Sequence, residues 1–246
     1  MGRSRIPGFA LLAGLFSSLL ALGVLPASAD PVFLFSSCQD ARNHLVQAPD
    51  GQYILLNNGR EFTVYCYDMA GTPREYISLA DTGANVNFSQ YTAGGASPGT
   101  NVRTTFTKVR VDPSTLTVDL GDLTFSSSTG SLRHGGATVT SMAYSAAMSC
   151  VAPQNAAGVG NIDLQNTPFQ VNDSFPLGGY LPAGGAKVSQ NNQLVDLSGG
   201  GYCGWITPAP GAYNPFNPGP GLYLLNLACA QNANVPGSNQ FCVKVA

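Results

Sequence analysis

Six cysteines, Cys38, Cys66, Cys150, Cys203, Cys229 and Cys242, constrain this chain more than any other feature, because all of them lie downstream of a segment built for export. Arg3 and Arg5 precede an apolar stretch from Phe9 to Leu25, and Ala27-Ser28-Ala29 puts small residues at the two positions a signal peptidase reads. Residues 1–29 are therefore expected to be a signal peptide, with a secreted chain that starts at Asp30 and keeps no membrane span. Gly14, Ser17, Ser18 and Gly23 interrupt the apolar run, which argues against a retained anchor. An even number of cysteines in an oxidising compartment reads as disulfides. Of the fifteen possible pairings the most economical is Cys38–Cys66, Cys150–Cys203 and Cys229–Cys242, each worth about 3–4 kcal/mol of loop-closure entropy. Zinc would want Cys-x-x-Cys or closely spaced histidines, and no cysteine lies within four residues of another cysteine or of a histidine. No metal ligand set is read from the sequence.

Composition narrows the class. Only 10% of the 246 residues are charged, with 11 Lys+Arg against 13 Asp+Glu, and no basic run occurs. Neither a phosphate backbone nor an anionic membrane surface is attracted by such a chain, so nucleic acid is excluded as a partner. The 29 glycines and 17 prolines disfavour long helices, while 44% hydrophobic residues still provide a core. Local patterns then point to a mainly β, disulfide-stabilised antiparallel domain. A short helix is expected first, capped by Ser36 or Ser37, with Cys38, Ala41 and Leu45 on one face. Gln52–Leu56 and Glu61–Tyr67 alternate and are joined through Asn57-Asn58-Gly59-Arg60, a tight-hairpin signal. Further strands are expected at Glu75–Leu79, Phe106–Val111, Leu116–Leu120 and Leu123–Ser126, with Asp112-Pro113-Ser114 breaking the second of these from the third. Residues 127–200 carry only brief strand signals. From 209 to 246 a Pro/Gly-rich linker is expected to lead into a terminal β-hairpin, Leu222–Ala228 with Gln240–Val245, clamped by Cys229 and Cys242.

Taken in order, Ser37-Cys38, Asp50-Gly51-Gln52-Tyr53, Val64-Tyr65-Cys66-Tyr67-Asp68-Met69 and Glu75-Tyr76-Ile77-Ser78-Leu79 resemble the opening of the GON domain, a C-terminal module of some secreted zinc metalloendopeptidases of the ADAMTS type. Phe106–Asp112, Asp122–Phe125, Tyr144–Ala147 with Cys150, and Gly200-Gly201-Tyr202-Cys203-Gly204 extend the resemblance, so residues 30–208 are read as a GON-like domain. The opening is also similar to fibrinogen-related recognition domains, which continue with Gly-Gly-Trp-Thr where this chain has Ala70-Gly71-Thr72-Pro73. Both resemblances imply the Cys38–Cys66 bond. The GON resemblance also brings zinc and metalloendopeptidase activity by association. Peptidases of that type need His-Glu-x-x-His on a helix. This chain has two histidines, His44 and His134, and neither precedes a glutamate.

Other catalytic readings rest on single residues. No Gly-x-Ser-x-Gly elbow supports a serine nucleophile. Glu61 and Glu75, the only glutamates, are the one candidate carboxyl pair for glycoside cleavage. Asp81, within Leu79-Ala80-Asp81-Thr82-Gly83-Ala84, looks like the active-site loop of aspartic peptidases, where two such loops share a proton; with one copy, a homodimer would be required. Aromatic residues offer a binding surface instead: Tyr65 and Tyr67 flank Cys66, and Tyr202 and Trp205 flank Cys203. Asn87-Phe88-Ser89 and Asn172-Asp173-Ser174 have the spelling of glycosylation acceptors. The expectation is a secreted, non-catalytic module that binds an extracellular protein or glycan and carries no cofactor, zinc entering only through family association.

Overall fold

The computed structural model describes residues 34–209, 224–230 and 242–244. The signal-peptide reading and most of the linker lie outside them. Ser37 caps the first element, α1 (Cys38–His44), by accepting the Asp40 N–H, while the Asp40 carboxylate accepts the N–H and hydroxyl of Ser36. These reciprocal bonds satisfy amides that a helix start leaves open. Cys38 and Ala41 are buried, and Leu45 packs against the core.

The hairpin forms as expected: β1 (Gly51–Asn57) and β2 (Arg60–Tyr67) pair antiparallel from Gly51↔Cys66 to Asn57↔Arg60, and Asn58 and Gly59 take φ of 50° and 69° at the turn. Next come β3 (Arg74–Ser78), β4 (Phe88–Thr92), β5 (Val102–Phe106), β6 (Lys108–Asp112) and β7 (Thr117–Asp119). The expected single strand Phe106–Val111 is two strands in different sheets. Thr107 is the switch: its N–H donates to the Phe125 carbonyl, while its own carbonyl accepts the Leu79 N–H. Leu123–Phe125 is a turn rather than a strand, because the Asp122 carboxylate accepts the Thr124 N–H and the Leu123 carbonyl accepts the Ser126 N–H. The strand there, β8, begins later, at Ser126–Thr129.

A two-stranded ribbon, β9 (Leu132–His134) with β10 (Ala137–Val139), precedes β11 (Ala147–Ser149), β12 (Gly158–Asp163) and β13 (Phe169–Val171). Two 13-residue strands follow, β14 (Leu177–Ser189) and β15 (Leu194–Ile206). The tail supplies β16 (Leu224–Cys229) and β17 (Cys242–Lys244). One sheet runs β1-β2-β3-β6-β7-β16-β13, with β17 also on β2; the other runs β11-β15-β12-β4-β5-β8, with β14 also on β15 and β11 additionally parallel to β4.

The expected terminal hairpin is corrected at this point. The tail strands are present and joined by a disulfide, but β16 lies between β7 and β13, and β17 lies beside Arg60–Phe62 of β2. Leu225 and Leu227 are buried, so β16 gains more from a slot in the sheet than a solvent-facing ribbon would offer. The backbone ladder takes β16 and β17 to separate places, and the Cys229–Cys242 bridge ties them across that separation. One large buried cluster draws on both sheets, with Leu55, Phe62, Val64 and Val111 from the first and Phe106, Ile162, Val195 and Leu197 from the second. A second, smaller cluster contains Tyr91, Val102, Leu132, Met142, Met148 and Cys150, with Cys203 and Trp205 packed against it. All three disulfides are formed: Cys38–Cys66, Cys150–Cys203 and Cys229–Cys242.

Candidate functional site

The four sequence-predicted aromatics separate into packed and presented residues. Tyr65 and Tyr67 both meet the Phe125 ring edge-on, at 5.9 and 5.1 Å between centroids, and Tyr67 meets Tyr76 at 6.1 Å. Lys108 Nζ lies 4.7 Å above the Tyr65 ring. Their faces are committed to this cluster beside Cys66. Trp205 crosses β14, and its indole occupies the space that a Cβ would need at Gly178, 2.5 Å from Nε1. Glycine at 178 is what lets the ring lie on the strand.

Tyr202 differs: it is 51% exposed and meets Tyr180, 64% exposed, at 5.6 Å in an edge-to-face pair. Leu177, Leu181 and Val188 are also exposed on β14. From Leu177 to Ala186 this strand has no charged residue, and among the described residues its backbone pairs only with β15. Leu181 has φ of 45°, in the left-handed region, although a residue before proline is confined by sterics to extended conformations. Strain of that kind is held in place by surrounding structure and concentrates at functional segments. Sequence reasoning missed Tyr180. The available signal is a repeated tripeptide, Gly178-Gly179-Tyr180 and Gly200-Gly201-Tyr202, whose tyrosine rings meet across the hairpin although the register sets Tyr180 opposite Cys203.

The remaining candidates occupy other places. His44 Nδ1 lies 2.9 Å from the Asp40 carbonyl oxygen and 3.1 Å from its carboxylate, in the last turn of α1. Glu75 accepts the Cys38 N–H at 2.7 Å, and burial raises its carboxyl above the ordinary value, opposed by that same bond. It borders a cavity of about 540 Å³ together with Ser37, Arg110, Asp112 and Asp119. Glu75 opposes Cys66 on β2, so the 61–66 stretch sets it about 17 Å from Glu61 at about 3.4 Å per residue, too far for a glycosidase pair. Asp81 is exposed and its Oδ2 accepts the Asn166 amide at 3.2 Å.

Asn87 is fully buried. Its Nδ2 donates to the carbonyls of Asp81 and Asp163, each at 2.8 Å, and its Oδ1 accepts the Tyr144 hydroxyl at 2.7 Å and the Asp163 N–H at 2.8 Å. Every hydrogen-bonding position of the amide is used. In the folded chain Asn87 is no glycan acceptor, whereas Asn172 is exposed. Burial, and then the neighbouring Asp81 and Asp196 charges, raise the Asp163 carboxyl.

His134 Nδ1 lies 2.9 Å from Ser97 Oγ and 3.6 Å from Cys150 Sγ, and burial lowers its pKa. The Tyr91 hydroxyl, pushed up to about 12 chiefly by burial, bonds Ser97 Oγ and sits 3.4 Å from Cys150 Sγ. These residues come from separate segments, so no local spacing reveals them. A catalytic zinc of the metalloendopeptidase type does not fit the described residues. His44 is engaged by Asp40, and the group with metal-ligand spacing, His134 with Cys150 and Cys203, has both sulfurs in a disulfide.

These features define a disulfide-bridged, two-sheet β domain with an exposed aromatic edge. The chain belongs to the GON domain family, whose model matches residues 35–98 and 95–213. It is also similar to A disintegrin and metalloproteinase with thrombospondin motifs gon-1 of Caenorhabditis elegans, with 26% identity over 201 residues, 70% of this chain and 9% of the relative. The similarity therefore concerns one small part of that protein. No solved structure matches significantly.

Proposed function

We propose that this GON domain is a secreted, non-catalytic interaction module that docks an extended, apolar segment of an extracellular protein along the outer edge of β14. The exposed Tyr180–Tyr202 pair carries the reading. Tyrosines of this kind combine a large apolar face with a polar tip and serve as anchors in protein interfaces. The edge of β14, which no other described strand covers, suits strand addition, in which main-chain bonds supply affinity and side-chain pockets supply specificity. A protein is favoured over a glycan because the two rings stand at 81° to each other and do not make a flat platform for sugar faces. Export is supported by the leader-like sequence and by three disulfides, which persist in oxidising compartments.

The test is a photo-crosslinking residue at position 181 of the full-length secreted chain, incubated with its native extracellular fraction. Discrete crosslinked proteins are expected, at least about tenfold depleted when Tyr180→Ser and Tyr202→Ser are introduced together. Equal capture by the double variant, or the same capture from a crosslinker at the 95% exposed Val46, refutes the assignment.

A further inference from the structure

We propose that Cys150, Cys203 and His134 form a redox-gated zinc site, closed in the disulfide form and opened when that bond is reduced. The inference does not rest on what the β14 surface binds, although Tyr202 borders both places. Its basis is a convergence of polar groups on a disulfide that has little use for them. The His134 imidazole and the buried Tyr91 hydroxyl both approach Cys150 Sγ, at 3.6 and 3.4 Å, and Ser97 links the two. Disulfide sulfur is a weak hydrogen-bond acceptor, whereas a thiolate is a strong ligand for zinc.

The geometry is close to a ligand set. Nδ1 of His134 and the two Sγ atoms all lie within 4.8 Å of one another. A tetrahedral zinc with bonds of about 2.3 Å to sulfur and about 2.0 Å to nitrogen has ligand–ligand edges of about 3.5–3.8 Å. The 3.6 Å separation of Nδ1 and Cys150 Sγ is already such an edge. Reduction would let the sulfurs separate to a similar distance, with Cys203 on the partly exposed side. A cavity of about 280 Å³, bordered by Cys150, Pro153 and Tyr202, gives a reductant or an ion a route and leaves room for a fourth ligand such as water.

The chemistry balances with a dithiol reductant. One thiolate of the dithiol attacks a sulfur of the bridge, the resulting mixed disulfide is resolved by the second thiol, and the dithiol leaves as its own disulfide after giving two electrons. Cys150 and Cys203 take up two protons as thiols, and zinc displaces both on binding. Two thiolates, a neutral imidazole and Zn²⁺ leave no net charge, which suits a site beside a buried cluster.

The experiment compares oxidised and phosphine-reduced full-length protein in competition with a chromophoric zinc chelator, with cobalt as spectroscopic probe. Reduced wild type should take up one zinc per chain and show a thiolate-to-cobalt charge-transfer band, and the oxidised protein should take up none. His134→Ala should weaken binding at least about tenfold. Cys150→Ser together with Cys203→Ser should abolish it, which separates this site from the other cysteines freed by reduction. Ser97→Ala, which removes no ligand, should bind like wild type. The proposal falls if reduced wild type takes up no zinc, if His134→Ala binds equally well, or if reduction abolishes the native circular-dichroism spectrum, since the metal would then be held by an unfolded chain.

Discussion

Cys38–Cys66 and Cys150–Cys203 have the same chemistry in contrasting surroundings. Both sulfurs of the first bridge are in 0% exposed residues inside the large core, where it fastens α1 to the end of β2. The second lies at the edge of the small cluster, with an imidazole, a phenol and a cavity against Cys150 and with Cys203 partly exposed. A sealed bridge can only brace the fold, whereas an accessible one with polar neighbours can also react.

The largest expected effect that would break this contrast is kinetic. Under a mild dithiol in native buffer, Cys150–Cys203 should open at least about a hundredfold faster than Cys38–Cys66, whose exposure requires opening of the core. Alkylation with mass mapping reads the order, and simultaneous loss of both bridges would erase the distinction. Stability sharpens it next. Loop closure alone gives about 3.6 kcal/mol for the separation of 28 residues and about 4.2 kcal/mol for that of 53. Cys38→Ala with Cys66→Ala also empties packed volume, so it should cost about 4–5 kcal/mol in denaturant unfolding, more than Cys150→Ala with Cys203→Ala. A ranking by loop length would show that the sealed bridge contributes no packing.

The smallest effect concerns the support beneath the first bridge. Glu75→Ala removes the acceptor of the Cys38 N–H and should cost about 1–2 kcal/mol, while Glu75→Gln keeps an acceptor and should cost less. Burial raises the Glu75 carboxyl, so the folded chain holds this proton more tightly than the unfolded chain does. Its contribution is complete below the ordinary glutamate value and declines as pH rises through the raised one. Wild type should therefore lose stability relative to Glu75→Gln across that window, and parallel pH profiles would show that the carboxyl is not perturbed.

What was legible in the sequence was local. Ser37, Asn58-Gly59 and Asp112 act through neighbouring backbone, and the helix, first hairpin and turn appear where their signals lie. The sheet switch at Thr107 was hidden because both of its partners, Leu79 and Phe125, are distant. The paired strands β14 and β15 were hidden by glycine, which lowers strand propensity yet here admits the Trp205 ring and close backbone neighbours. At the candidate surface, Tyr202 was visible beside its cysteine and Tyr180 was not, since only strand pairing brings them together. The Asn87 sequon misled for a related reason: its three-residue spelling says nothing of a side chain saturated by residues up to 76 positions away.

The place of β16 has a consequence for the order in which the domain is made. Leu224–Cys229 fills a slot between β7 and β13, although both neighbours precede it by at least 56 residues in the ladder contacts. A chain threading outward with its N-terminus first presents β13 held by Asn192 and Gln193 but with no paired strand among the described residues until this late segment arrives. Vectorial delivery therefore ends with an insertion into a waiting gap, and the interval before it is when Leu225, Leu227 and the facing Phe169 and Val171 are open to chaperones and to misassociation.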